Sequence, residues 1–354
     1  MRHLSRGACS YSDERAGGMK QFIERHTLWA VVILLLAVIL LWLIFAVWPE
    51  WLIESMGRKK TFINTLLNGL TLAGLYFLVA SGFTLIFGLM RNVNLAHGSM
   101  YLLGAYIGYE VAEASGSWFL GLIVAFFAIA LSGVLMQVLV FRRMEGDDLR
   151  QTLVTIAISI IAADIMLAIW TGTTYQFAPP EWLWGAAQLP VISVIKSSGD
   201  AVYIKYPIYR LAVLAVAIAV GIALWLFLNR TRIGMMIRAG VNDRDMLAAS
   251  GVNVQLVFAL VFAIGAGLAG FAGVIGGTAL SVAPGEDIRY LLASLVVVIV
   301  GGLGSVSGAA VGALLIGLAE QFGLAYFPTY GVVLTFLIMV VVLAVRPQGI
   351  MGGR

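Results

Sequence analysis

The chain has 354 residues, 61% of them hydrophobic and only 11% charged, with a net charge of +4. A soluble domain carries about 25% charged residues, so a soluble globular protein is excluded and a polytopic membrane protein is implied. A single cysteine, Cys9, excludes an intrachain disulfide and a cysteine metal cluster, and His3, His26 and His97 are too scattered to form a metal site.

Residues 1–27 form a polar, basic tail with Arg2, Arg6, Arg15, Lys20 and Arg25. Leu28–Trp48 is an unbroken run of 21 apolar residues. At about 1.5 Å per residue it spans roughly 31 Å, enough for a bilayer core. It lacks a small-residue cleavage site, so it reads as an uncleaved first helix, with a linker to residue 61. Further apolar runs cover 62–90, 96–113, 118–141, 151–171, 207–228, 256–281, 290–303, 308–326 and 330–345, which gives about ten crossings in an all-α protein. Ten crossings put both termini on one side. With 142–150 and 229–254 inside, the inner segments hold fifteen Lys/Arg and the outer ones seven, as cytoplasmic loops do. The outer Arg58-Lys59-Lys60 cluster is the exception. This asymmetry accounts for the basic balance without a nucleic-acid partner.

Residues 172–206 are too polar to span and carry Pro179-Pro180, Trp182, Trp184 and Pro190. They are expected to form an external cap with interfacial aromatics or a contact surface. Asn94 is expected to cap a helix starting near Leu95. That segment brings His97, Ser99 and Tyr101 near the membrane, where they either stabilise a helix entrance or line a translocation path. Gly265, Ala269, Gly273 and Gly277 fall four apart, as do Gly304, Gly308 and Gly312, a spacing that lets helices approach closely. The run 301–308 is too glycine-rich for one continuous helix, so a break is expected there. It lacks the Gly-Lys-Ser/Thr ending of a phosphate loop, so the chain does not hydrolyse ATP by that route.

Asp164 and Glu320 lie within apolar runs. A charge in the bilayer costs at least about 2.5 kcal/mol and faces the bundle interior. Each is either a substrate or proton site or a structural carboxyl, and Glu320 favours the structural role. Glu110 and Glu113 are placed at the outer face.

The basic loop 229–254 carries the clearest local signals. Ile233–Ala239 forms a short helix, broken at Gly240-Val241-Asn242. Asn242 or Asp243 caps a second helix, which Gly251 ends. Met246 and Leu247 are then available to a partner's groove.

Arg238-Ala239, Asp243, Ala248 and Gly251-Val252-Asn253 resemble the cytoplasmic loop of branched-chain amino-acid ABC transporter permeases. Asn94-Leu95-Ala96-His97-Gly98 with Gly104-Ala105-Tyr106, the run Gly301–Ser305 with Gly308, and the closing Arg346-Pro347-Gln348-Gly349-Ile350 are similar to the smaller permease type of that family. The resemblance spans about 62–351 and implies a type II-like importer fold. It also implies a second permease subunit, two ATPases docked on loops such as 232–253, and a periplasmic or tethered binding protein. ATP hydrolysis then belongs to the partners, so the chain is no enzyme and needs no cofactor. The docking residues it implies are Arg238, Ala239, Asp243, Ala248 and Gly251, to which the local reading of the loop adds Asn242, Met246 and Leu247. The family also includes permeases for urea, short amides and aromatic acids. Two departures stand out: the extra run before residue 62, and Asp164 where a neutral residue is expected. The rival is an ion-coupled secondary transporter using Asp164 and Glu320.

Overall fold

The computed structural model describes residues 59–195 and 201–352. The first apolar run, 28–48, and the basic tail before it lie outside the described residues. Contacts divide the chain into two compact units, 1–63 with 189–204 and 64–188 with 205–354. The described part of the first is the opening turn of a helix and most of a hairpin. The second holds the helical body.

Each of the nine apolar runs after residue 61 is a helix. In chain order these are α1 (Lys59–Met90), α2 (His97–Ser115), α3 (Trp118–Leu139) and α4 (Asp148–Trp170). A hairpin follows, β1 (Ala186–Ile195) and β2 (Ala201–Pro207), then α5 (Ile208–Arg230). Two short helices, α6 (Arg232–Asn242) and α7 (Arg244–Ala249), fill the basic loop. The chain closes with α8 (Val254–Ala279), α9 (Glu286–Gly301), α10 (Val306–Tyr326) and α11 (Gly331–Val345). Among the described residues six helices are long and apolar enough to cross a membrane: α1, α3, α4, α5, α8 and α10. At 16 and 15 residues, α9 and α11 reach only about 24 Å, short of the hydrocarbon thickness. The two-stranded sheet is the one departure from an all-α body among the described residues. It falls in the expected cap, where Trp182 and Trp184 are exposed and Tyr175 pairs with Val282 as an isolated bridge.

Five of the described helix starts are fixed by the caps of Asp147, Thr231, Asp243, Asn253 and Ser305. Each accepts the backbone N–H three residues on, satisfying donors that a helix leaves free. The expected cap by Asn94 is displaced. Helix α2 starts at His97 with Ala96 at its N-cap position, and the Asn94 carboxamide oxygen accepts from Ala96 N at 3.1 Å in a turn just before it.

The core is a glycine seam. Helix α8 packs most extensively against α3 and α2. A methyl built on Gly104 would collide with the Gly270 backbone, and one on Gly273 with the Tyr101 carbonyl. Gly265 meets α1, where a methyl would come within 2.8 Å of the Gly82 carbonyl oxygen, and Gly277 meets Phe177 and Val282. The second expected stripe is divided. Gly308 and Gly312 lie on α10 against Gly301 and Val297 of α9, whereas Gly304 lies in the break, at φ +80°, against Gly88 of α1. The spacing of four there joins a loop residue to two helical ones, so it is not a single helix face.

The break at 302–305 is held by the C-terminal tail. Ile350 N donates to Val300 O and Met351 N to Gly301 O, each at 2.9 Å. These are the carbonyls that the end of α9 would leave unpaired. Gly349, at φ +77°, lies against Gly302 so closely that a Cβ would come within 2.6 Å of its Cα. Deleting 347–354 is therefore expected to destabilise the protein by about 1–3 kcal/mol, the cost of stranding buried carbonyls. Thermal melting of the solubilised protein checks this, and an unchanged midpoint would mean that water replaces the tail.

Candidate functional site

The basic loop is built onto the end of α1 by two arginines. Arg91 Nη2 donates to Val241 O at 3.2 Å, and Arg244 Nη2 donates to Leu89 O at 2.6 Å. Arg244 also lies over the Phe258 ring, 5.2 Å from its centre. Burial, and then the charge of Arg91, hold the Arg244 guanidinium below its ordinary pKa. Neither residue stood out in the sequence. The available signal was Arg91 immediately after a long apolar run.

Helix α6 runs through Gly240 rather than breaking there. The glycine lies close under two leucines: a Cβ would meet the Leu89 side chain at 3.0 Å and the Leu247 side chain at 3.1 Å. The bend falls at Asp243, which is extended and caps α7 by accepting from Met246 N at 3.0 Å. Gly251, at φ +83°, follows the helix end as a left-handed residue. Leu247 is buried against the body, so it is not available to a partner as expected. Met246 is 69% exposed, and Arg238, Ala239, Asp243, Ala248 and Gly251 are exposed beside it. Asn242 ends α6. Arg238 Nη1 donates to Asn229 Oδ1 at 2.9 Å and has no carboxylate within ion-pair distance among the described residues. A cavity of about 180 Å³ lies behind it, walled by Leu85, Leu228, Ile237, Val241 and Val306, with Gly88 and Gly304 alongside.

The expected path residues separate into two groups. Residues 92–99 run along one face of α4 through a ladder of hydrogen bonds. Asn92 Nδ2 donates to Gln151 Oε1 at 2.8 Å, Leu95 N to Thr155 Oγ1 at 3.2 Å, and the Ser99 and Ser159 hydroxyls meet at 2.9 Å. The three α4 partners are four residues apart, one helical stripe. Asn94, His97 and Ser99 are thereby enclosed by protein, each 3% exposed or less. The His97 ring bonds to Val79 O through Nε2 at 3.0 Å and meets the Phe83 ring edge-on. Asp164 belongs to the other group: it is exposed on α4, with no ion pair among the described residues.

Glu320 sits in a cluster that joins three helices. It accepts from the Tyr76 hydroxyl at 2.6 Å and lies 3.8 Å from Arg289, which also approaches Glu286 at 3.5 Å. Tyr290 stacks on Tyr101 with ring centres 4.2 Å apart. Glu320→Leu strands the buried Tyr76 hydroxyl and is expected to cost about 1–3 kcal/mol. Glu320→Gln keeps an acceptor and is expected to melt close to the parent. Equal melting of both variants would remove Glu320 from the structural account.

Among the described residues no three His, Cys, Asp or Glu side chains gather as metal ligands.

Residues 65–343 match the family model described as the branched-chain amino acid transport system permease component. The permease protein BraD of the high-affinity branched-chain amino acid transport system of Pseudomonas aeruginosa is 30% identical over 303 residues, covering 82% of this chain and 96% of that protein. The corresponding LivH protein of Salmonella typhimurium is 28% identical over 306 residues, with the same coverage. Among solved structures, PsaBC from Streptococcus pneumoniae in complex with Fab aligns with 80% of this chain and 92% of that one, at 13% identity and a TM-score of 0.42. The chain belongs to the branched-chain amino acid transport permease family: it is a multi-pass membrane transport subunit and not an enzyme.

Proposed function

We propose that the chain is one of two permease subunits in an ATP-driven, binding-protein-dependent importer of branched-chain amino acids. It sits in a bacterial inner membrane with both termini in the cytoplasm, as the fifteen-to-seven Lys/Arg asymmetry favours. Residues 62–351 are the permease domain, 28–61 an added helix and linker, 172–206 the external cap and 229–254 the ATPase-docking loop.

The observation that carries this reading is the capped pair α6–α7. It presents Arg238 and Met246 outward and is clamped to α1 by Arg91 and Arg244. Such a pair can receive a push from an ATPase and transmit it to a helix enclosed in the core. Ala239, Asn242, Asp243, Ala248 and Gly251 shape the pair, and Leu247 anchors it from within. A periplasmic or tethered binding protein delivers the solute to the outer face.

The test is uptake of labelled leucine into vesicles carrying the complete gene cluster. Uptake that needs both ATP and the binding protein is expected, with a second permease and ATPases recovered alongside this chain. Uptake by this chain alone, driven by a proton gradient, would overturn the proposal in favour of a secondary transporter. ATP-driven uptake of urea, a short amide or an aromatic acid in place of leucine would change the solute and keep the machine.

A further inference from the structure

Helix α4 is built inside out. Its polar residues Gln151, Thr155 and Ser159 face the protein and are all hydrogen-bonded there. Its opposite face, Leu153, Ala157, Ile160, Ile161, Leu167 and Ala168, is exposed, with Ile160 at 58%. An apolar face turned outward needs only lipid. Asp164 sits in the middle of that face, three to seven residues from each of those neighbours except Leu153.

Lipid cannot cover a carboxylate without cost, at least about 2.5 kcal/mol even on the most lenient scale. Asp164 lies six residues before Trp170, the end of α4, about 9 Å along the axis. A lysine or arginine could reach the interface from such a depth by extending its stem; an aspartate is too short. Helix α5 supplies the contrast. It exposes Ile218, Ile222 and Trp225 in the same way, and it carries no charged residue between Arg210 and Arg230. Its face suits lipid, whereas the α4 face requires water or a polar partner at one position.

We propose that the α4 face lies against a second permease subunit, and that Asp164 stands in a water-filled seam between the two as a charge filter. The carboxylate draws solutes bearing an ammonium group, such as zwitterionic amino acids, and repels anionic ones. Ala157 and Ala168 leave room on either side of it. The inference rests on the importer reading for its second subunit, and it gives the path a residue that Asn94, His97 and Ser99, enclosed within the subunit, do not supply.

The test uses the assembled transporter in membrane vesicles, with Cys9 replaced by serine. Single cysteines are placed by Ala168→Cys, one turn from Asp164 on its face, and by Ile222→Cys on α5. Membrane-impermeant thiosulfonates, one cationic and one anionic, are applied to both sides. Ala168→Cys is expected to react, about tenfold faster with the cationic reagent, from the local concentration of cations near a carboxylate. Asp164→Asn is expected to bring the two rates together, Asp164→Glu to restore their ratio, and Ile222→Cys to stay unreactive. No reaction at Ala168→Cys would mean a dry or lipid-covered face and overturn the seam. Equal rates with Asp164 intact would overturn its role as a filter. Leucine uptake by the same vesicles, scored in parallel, tests the importer reading separately, because labelling needs no solute.

Discussion

Gly273→Val is expected to leave little folded protein in the membrane. A Cβ at this position would fall on the Tyr101 carbonyl and within 2.9 Å of Ala105 N, so the obstacle is backbone in the middle of another helix. A flexible side chain could swing aside, but a helix can yield only by moving as a body. Overpacking a close-packed core costs about 1–3 kcal/mol where side chains can give, and more where they cannot. Here the displacement would spread. Gly104 and Gly270 bring α2 and α8 together at backbone distance one turn away, and Gly265 does the same for α8 and α1. In a membrane the helices are held by such close contact rather than by hydrophobic exclusion. Size-exclusion profiles and membrane abundance check the outcome. The control is Gly172→Ala, where a methyl would meet nothing within 4 Å and behaviour should match the parent. A monodisperse, normally abundant Gly273→Val protein would mean that α2 and α8 can separate without loss of the fold.

That seam was legible in the sequence only as a spacing. Gly265, Gly273 and Gly277 recur at helical intervals inside one apolar run, so their shared face could be read directly. Gly304, Gly308 and Gly312 show the same interval, yet Gly304 occupies a break, because spacing does not record where a helix stops. The break itself was legible from glycine density. The nine runs after residue 61 were legible as helices because a membrane demands length and apolarity together. The hairpin was not, because strand pairing within the cap depends on partners that local composition does not identify. In the basic loop the caps were readable from Asp243 and Gly251, since capping is decided within four residues. The inward turn of Leu247 and the clamps from Arg91 and Arg244 depend on where α1 ends in space, which no local pattern specifies. Asn94, His97 and Ser99 looked like path residues because polar groups in a membrane suggest a route. Ser99 meets Ser159 of α4, its neighbours Asn92 and Leu95 meet Gln151 and Thr155, and His97 bonds to Val79 O of α1, so only the fold brings each to its partner.

Arg238→Glu is expected to reduce ATP-driven leucine uptake more than tenfold while the protein inserts and folds as before. Folding should survive because the side chain is exposed and makes one bond, to Asn229 Oδ1 at 2.9 Å, which is a rim contact. Surface substitutions of this kind usually change stability by less than about 0.5 kcal/mol. Transport should not survive, because Arg238 has no carboxylate partner within the described chain, so its charge is open to a docked subunit. Against an acidic group on the docked subunit, reversal would set like charges together and leave that group unpaired, a loss of about 2–5 kcal/mol if the contact is desolvated. Co-purification of the ATPases should fall with uptake, and Met246→Ala should weaken both to a smaller degree. Any ATP hydrolysis that persists should no longer respond to the loaded binding protein. Undiminished uptake by Arg238→Glu would show that the loop engages its partner through other residues, and would leave Arg238 with no role beyond holding Asn229.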